Sequence, residues 1–232
     1  MKLKIPSWSE NLIVFDTETT GVSPTTARIV SACVALIDVT GQPVQRYDWL
    51  IDPGVPIPDA ASKVHGITTD MAKNTGVKAA TGITQIIQKI REFLELGFAL
   101  VVYNAPYDLT LLKYEAQRHD VDFPITIKPV LDPLVIDKHV DKYRRGKRTL
   151  TAVAEHYGVN LADAHDAGAD AIAAGQVLQQ IAIKYQTHLP DEVQNLHDEQ
   201  VRWSKDQAAS FQDYMRRTKD SSFTASGSWP IR

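Results

Sequence analysis

The chain has 232 residues, 44% of them hydrophobic and 23% charged, which suits one globular domain with a buried core and room for an appendage. Its formal net charge of −3 provides no global basic field, which argues against a passive nucleic-acid coat but not against a nuclease whose carboxylates hold cations. A single cysteine, Cys33, excludes an internal disulfide framework, and no run has the length of a secretion signal or a membrane span, so a cytoplasmic protein with no membrane association is expected.

Leu12 to Phe15, Ile29 to Ile37 and Val44 to Ile51 are apolar or β-branched runs at short spacing, and they predict an antiparallel meander. Thr81 to Leu96 places Ile83, Ile86, Ile87, Ile90, Phe93 and Leu94 on one helical face. Phe98 to Tyr103 predicts a further strand, and a helix is expected to begin near Pro106 and carry Leu109, Leu111, Leu112 and Ala116. Ile127 to Leu131 reads as a strand, and Thr149 to Tyr157 and Ala167 to Tyr185 as helices. Strands followed by alternating helix and strand give an α/β fold, a mixed sheet flanked by helices. Pro190 interrupts the pattern, so the domain is expected over residues 1–187 and a helical extension over 188–232. The Ser-rich tail from Ser221 is either disordered or docked through Trp229.

Chemistry concentrates in three places. In Phe15-Asp16-Thr17-Glu18-Thr19-Thr20-Gly21 the two acids are two apart on a strand, so they project from the same face. Adjacent carboxylates repel unless a cation lies between them, and hard divalent cations take such oxygen ligands. Asp-x-Glu alone reads equally well as a solvated strand end; the apolar strand before it and the Thr-Thr-Gly turn after it favour a site. Asp108, in Asn104-Ala105-Pro106-Tyr107-Asp108, falls in the first turn of the helix that follows an apolar strand. Alone it reads as compensation of the helix dipole. In His165-Asp166-Ala167-Gly168-Ala169-Asp170, Asp166 makes a helix N-cap, with His165 just outside the helix and Asp170 one turn in. The flanking alanines suit close packing on a sheet, and an acid on such a face needs a partner that a metal would supply.

In this order and spacing the three motifs resemble the DEDDh exonuclease family, which includes the proofreading epsilon subunit of bacterial DNA polymerase III. The resemblance covers residues 10 to 185 and implies a ribonuclease H-like fold. It also implies a metal-dependent 3′→5′ exonuclease that releases nucleoside 5′-monophosphates from single-stranded or frayed DNA 3′ ends. The alternative within the family is an RNA-trimming exoribonuclease or oligoribonuclease. Two ions, Mg²⁺ or Mn²⁺, are implied at Asp16, Glu18, Asp108 and Asp170, with His165 as general base. Thr17, Thr19, Thr20, His65 and Asn104 are the implied substrate contacts, His65 lying in the loop-like segment Val64-His65-Gly66-Ile67-Thr68.

Two positions depart from the family pattern. Tyr103 stands where many members have His, and Tyr107 where Phe is common; both keep an aromatic ring, so altered substrate contacts and intact chemistry are expected. The basic run Lys142 to Arg148 reads equally as a phosphate track or a solvated loop. Association with a DNA polymerase and self-association are both open. So are two other classes, a scaffold with a dead site and a hydrolase of free nucleotides; the complete set of five residues argues against the first.

Overall fold

The computed structural model describes residues 5–124, 126–161 and 165–232. The predicted meander forms from β1 (Leu12–Thr19), β2 (Ile29–Ile37) and β3 (Pro43–Asp52). Helices α1 (Asp59–His65) and α2 (Thr69–Thr75) and the short β4 (Val77–Lys78) follow. Then come α3 (Ala79–Glu95), β5 (Ala99–Val101), α4 (Ala105–Arg118) and β6 (Val130–Leu131). The chain continues through α5 (Pro133–Val140), α6 (Leu150–Tyr157), α7 (Ala167–Lys184) and α8 (Val193–Thr218). The sheet order is β4-β3-β2-β1-β5-β6, antiparallel through the meander and parallel where β5 joins β1 and β6 joins β5. This is the mixed sheet flanked by helices that the element pattern predicts.

Several boundaries differ from the sequence expectation. The run Leu12 to Phe15 is only the buried half of β1; pairing with β2 carries the strand on through Asp16 and Glu18. The two acids therefore stand on the strand itself. Phe98 to Tyr103 shortens to Ala99–Val101, and Ile127 to Leu131 to Val130–Leu131, because only those residues meet a neighbouring strand. Helices α1, α2 and α5, of seven, seven and eight residues, are not anticipated from the sequence; elements this short carry little helical periodicity.

The core lies between the sheet and its helices. Leu12 to Phe15 are wholly buried, as are Ile83, Ile86 and Ile90 of α3. On α7 the small residues do what their size allows: a Cβ at Gly175 would sit 2.5 Å from Ile37 Cδ1 and 2.6 Å from Val14 Cγ1. That close approach lays α7 on β1 and β2 and brings its first turn to the acid-bearing half of β1. Leu196 and Trp203 of α8 and Trp229 of the tail belong to the same apolar core, and Trp229 is 6% exposed. Among the described residues no helix is long and apolar enough to cross a membrane.

Candidate active site

The site forms where β1, the start of α4 and the start of α7 converge. Asp166 caps α7, its Oδ1 accepting from the Ala169 N–H at 2.9 Å. His165 precedes the cap at φ 73, a left-handed conformation uncommon outside glycine. Its backbone N–H donates to Asp170 Oδ2 at 3.2 Å, which fixes the residue beside the helix it precedes. The other oxygen, Asp170 Oδ1, is buried and has no hydrogen-bond partner among the described residues.

Glu18, His165 and Asp170 each offer a ligand atom, and the three atoms lie within 4.8 Å of one another. Asp16 and Asp108 lie outside that tight group and couple to it through charge. Burial first, then the carboxylates of Asp108, Asp170 and Glu18, hold the Asp16 carboxyl well above its ordinary range. Burial and the Asp170 and Asp108 charges push Glu18 up to about 8. Asp108 rises to about 7, mainly through burial, against the opposing hydrogen bond from Thr17 Oγ1 at 2.5 Å. Burial also raises Asp170, with the His165 amide opposing it. Four acids whose pKa values are all raised stand close enough to feel one another's charge, a repulsion that a compensating positive charge would relieve.

The expected substrate contacts line the same region. His65 ends α1, with its Nδ1 accepting from the Ile67 N–H at 3.2 Å and its ring beside the Thr19 backbone. Burial lowers its pKa, backbone hydrogen bonding with Thr19 opposes that, and the nearby His165 adds a smaller lowering. Asn104 is exposed and left-handed at φ 59, as the N-cap residue of α4. The threonine side chains are engaged within the protein. Thr17 Oγ1 bonds Asp108, Thr19 Oγ1 donates to the Gly21 carbonyl at 2.8 Å, and Thr20 Oγ1 accepts from the Arg28 N–H at 2.9 Å. The backbone is engaged as well: Thr17 and Thr19 pair with β2, and the Thr20 N–H donates to the Arg28 carbonyl at 3.0 Å.

Both tyrosines that depart from the family pattern use their hydroxyls internally. Tyr107 donates to the Gly21 carbonyl and so ties the turn after β1 to α4. Tyr103 donates to the Arg148 carbonyl at 2.6 Å. The basic run divides. Arg144 and Arg148 turn inward, each reaching Asp137 Oδ2 at 2.6 Å, while Lys142, Arg145 and Lys147 stay exposed. Sequence reasoning did not single out Asp132. Its signal was the Asp132-Pro133 pair, an N-cap followed by proline at the first helical position.

Residues 13–178 match the model of the exonuclease family. The chain belongs to that family. Members of that family are exonucleases and use divalent cations. The chain is 31% identical over 185 residues to the DNA polymerase III PolC-type protein of Streptococcus thermophilus, covering 76% of this chain and 12% of that protein. To the DNA polymerase III subunit epsilon-like protein of Rhodobacter capsulatus it is 33% identical over 168 residues, covering 71% of this chain and 22% of that one. It therefore spans less than a quarter of either relative. The nuclease domain of 3′hExo, a DEDDh family member solved with rAMP bound, matches with a TM-score of 0.57 at 15% identity. That match covers 78% of this chain and 94% of the other. The DEDDh resemblance and the ribonuclease H-like fold both stand.

Proposed function

We propose that this exonuclease removes nucleoside 5′-monophosphates one at a time from single-stranded or frayed DNA 3′ ends, using two Mg²⁺ or Mn²⁺ ions. The observation that carries the reading is the group Glu18, His165 and Asp170 within 4.8 Å, with Asp170 Oδ1 buried and, among the described residues, unpartnered beside it. An orphaned carboxylate oxygen among raised acids fits an oxygen-seeking divalent cation. Asp16, Glu18 and Asp170 would hold one ion, with Asp16 shared and Asp108 supporting the second. When bound, the ions stabilise charge on the attacking and leaving oxygens of an in-line displacement.

The remaining work falls to the chain itself. His165 stands outside α7, exposed, and its imidazole takes the proton of the attacking water. Its backbone bond to Asp170 keeps the ring within reach of the carboxylates. Thr17 Oγ1 fixes one oxygen of Asp108 and so restricts the carboxyl to one orientation. The segment Thr17 to Thr20, Asn104 and the ring of His65 hold the terminal nucleotide.

DNA is favoured because two relatives are named as DNA polymerase III proteins. The same names support association with a DNA polymerase as the setting for this activity. The second reading, an RNA-trimming enzyme, rests on the rAMP bound to the 3′hExo nuclease domain. The purified chain is incubated with matched 3′-labelled DNA and RNA single strands and Mn²⁺. Stepwise release of labelled 5′-monophosphate from DNA, absent in Asp16→Ala and Asp170→Ala, is expected. Faster release from RNA would move the substrate to the second reading, and activity persisting in either variant would sink the site.

A further inference from the structure

Asp132 is fully buried between β6 and α5, yet its carboxylate is densely engaged. Oδ1 accepts from the Asn104 N–H at 2.9 Å and the Leu134 N–H at 3.0 Å. Oδ2 accepts from the Ala105 N–H at 2.9 Å and from the Trp229 indole N–H at 3.4 Å. Its own backbone N–H donates to Gln200 Oε1 at 2.7 Å. The first two amides of the α4 entry, one of them in a left-handed residue, are thus held by a carboxylate from the β6–α5 junction. Asp108 follows in the same turn.

Two of these partners come from the segment after Pro190. Gln200 lies on α8, where it also donates to the Val130 carbonyl at 3.2 Å. The tail then runs back along α8. The Ala225 N–H donates to Gln212 Oε1 at 3.1 Å, and a Cβ at Gly227 would sit 2.8 Å from Lys205 Cα. Trp229 packs its ring 5.0 Å from that of His197, and the Arg232 N–H donates to Thr110 Oγ1 of α4 at 2.9 Å. The tail thus contacts both the carboxylate that holds the α4 entry and α4 itself, two residues beyond Asp108.

We propose that Asp132 is a positioning residue for Asp108, and that Gln200 and Trp229 complete it, so that residues 188–232 support the active site. A buried carboxylate with backbone donors is worth keeping when the donors must be held in a conformation they do not choose alone. Here that conformation is the left-handed Asn104, and the consequence is the placement of the Asp108 carboxyl. Outer-shell partners of metal-supporting carboxylates act in this way. The inference rests on the proposed role of Asp108.

The test uses the full chain and three variants. Trp229→Phe removes the indole N–H and keeps the ring, and Asp132→Asn keeps the shape and loses the acceptor charge. Gln207→Ala is the control, since Gln207 fastens α8 to the Val135 carbonyl at 2.9 Å without touching Asp132. Hydrogen exchange over residues 104–108, calorimetric Mn²⁺ titration and kcat against KM are measured well below each melting temperature. Trp229→Phe and Asp132→Asn are expected to speed exchange at Asn104 and Ala105, weaken Mn²⁺ binding about tenfold and lower kcat at unchanged KM. Gln207→Ala is expected to lose stability with none of these effects. If Asp132→Asn does not fold, Trp229→Phe decides alone. Exchange and Mn²⁺ affinity in Trp229→Phe equal to the wild type, or shifted equally in Gln207→Ala, would overturn the proposal. A wild type with no Mn²⁺-dependent nucleotide release would instead overturn the reading on which it rests.

Discussion

Glu18→Gln exchanges a charged acid for a neutral isostere at the centre of the carboxylate cluster. Glu18 offers an oxygen within 4.8 Å of one on Asp170. Two unit charges at about that separation repel by roughly 3 kcal/mol at an effective dielectric of about 20. Solvent on the open side of Glu18 reduces this to about 1–2 kcal/mol. The folded pKa of about 8 stands above the ordinary 4.5. The folded chain therefore binds this proton more tightly than the unfolded chain does. Wild-type stability is full below about 4.5 and falls as pH rises toward 8. In chelator at pH 8.5, Glu18→Gln is expected to melt about 3–6 °C above the wild type, and at pH 4.5 the two should melt together. Added Mn²⁺ should raise the wild-type melting temperature and leave the variant behind, because the charge that costs stability in the empty site is the one that attracts the ion. Nucleotide release should vanish in the variant. The assay is thermal melting at both pH values, with chelator and then with Mn²⁺. A variant less stable than the wild type in chelator at pH 8.5 would refute the repulsion argument.

His165→Ala should cut the rate severely while Mn²⁺ affinity by calorimetry stays close to that of the wild type; loss of binding would make the residue a ligand, which its closeness to Glu18 and Asp170 allows. Gly175→Ala should destabilise by about 1–3 kcal/mol in urea, since the new methyl would overlap Ile37 and Val14. An unchanged urea midpoint would show that α7 can lift from the sheet at no cost.

The firmest parts of the site were legible in the sequence because their signals are local. The alternation of a strand puts Asp16 and Glu18 on one face wherever the strand lies. The cap at Asp166 sets His165 and Asp170 about the start of a helix, and the glycine and alanines of α7 announce close packing. Asp108 could be placed in its turn and no further. What holds it is Thr17, 91 residues away in the chain, and sequence windows do not report such pairs.

The same limit explains the rest. The run Lys142 to Arg148 is basic in sequence, but a buried acid, Asp137, draws Arg144 and Arg148 inward. The hydroxyls of Tyr103 and Tyr107 bond carbonyls that only the fold brings near. Trp229 left two readings open, and its indole N–H turned out to donate to a carboxylate 97 residues earlier in the chain. The sequence by itself determined which acids face together and where the helices that bear them begin. Only the tertiary structure decided which of those acids are pinned, which cations are already paired, and which distant residues hold the α4 entry in place. Periodicity and capping act within a turn or two, whereas burial and charge act across whatever the fold makes adjacent.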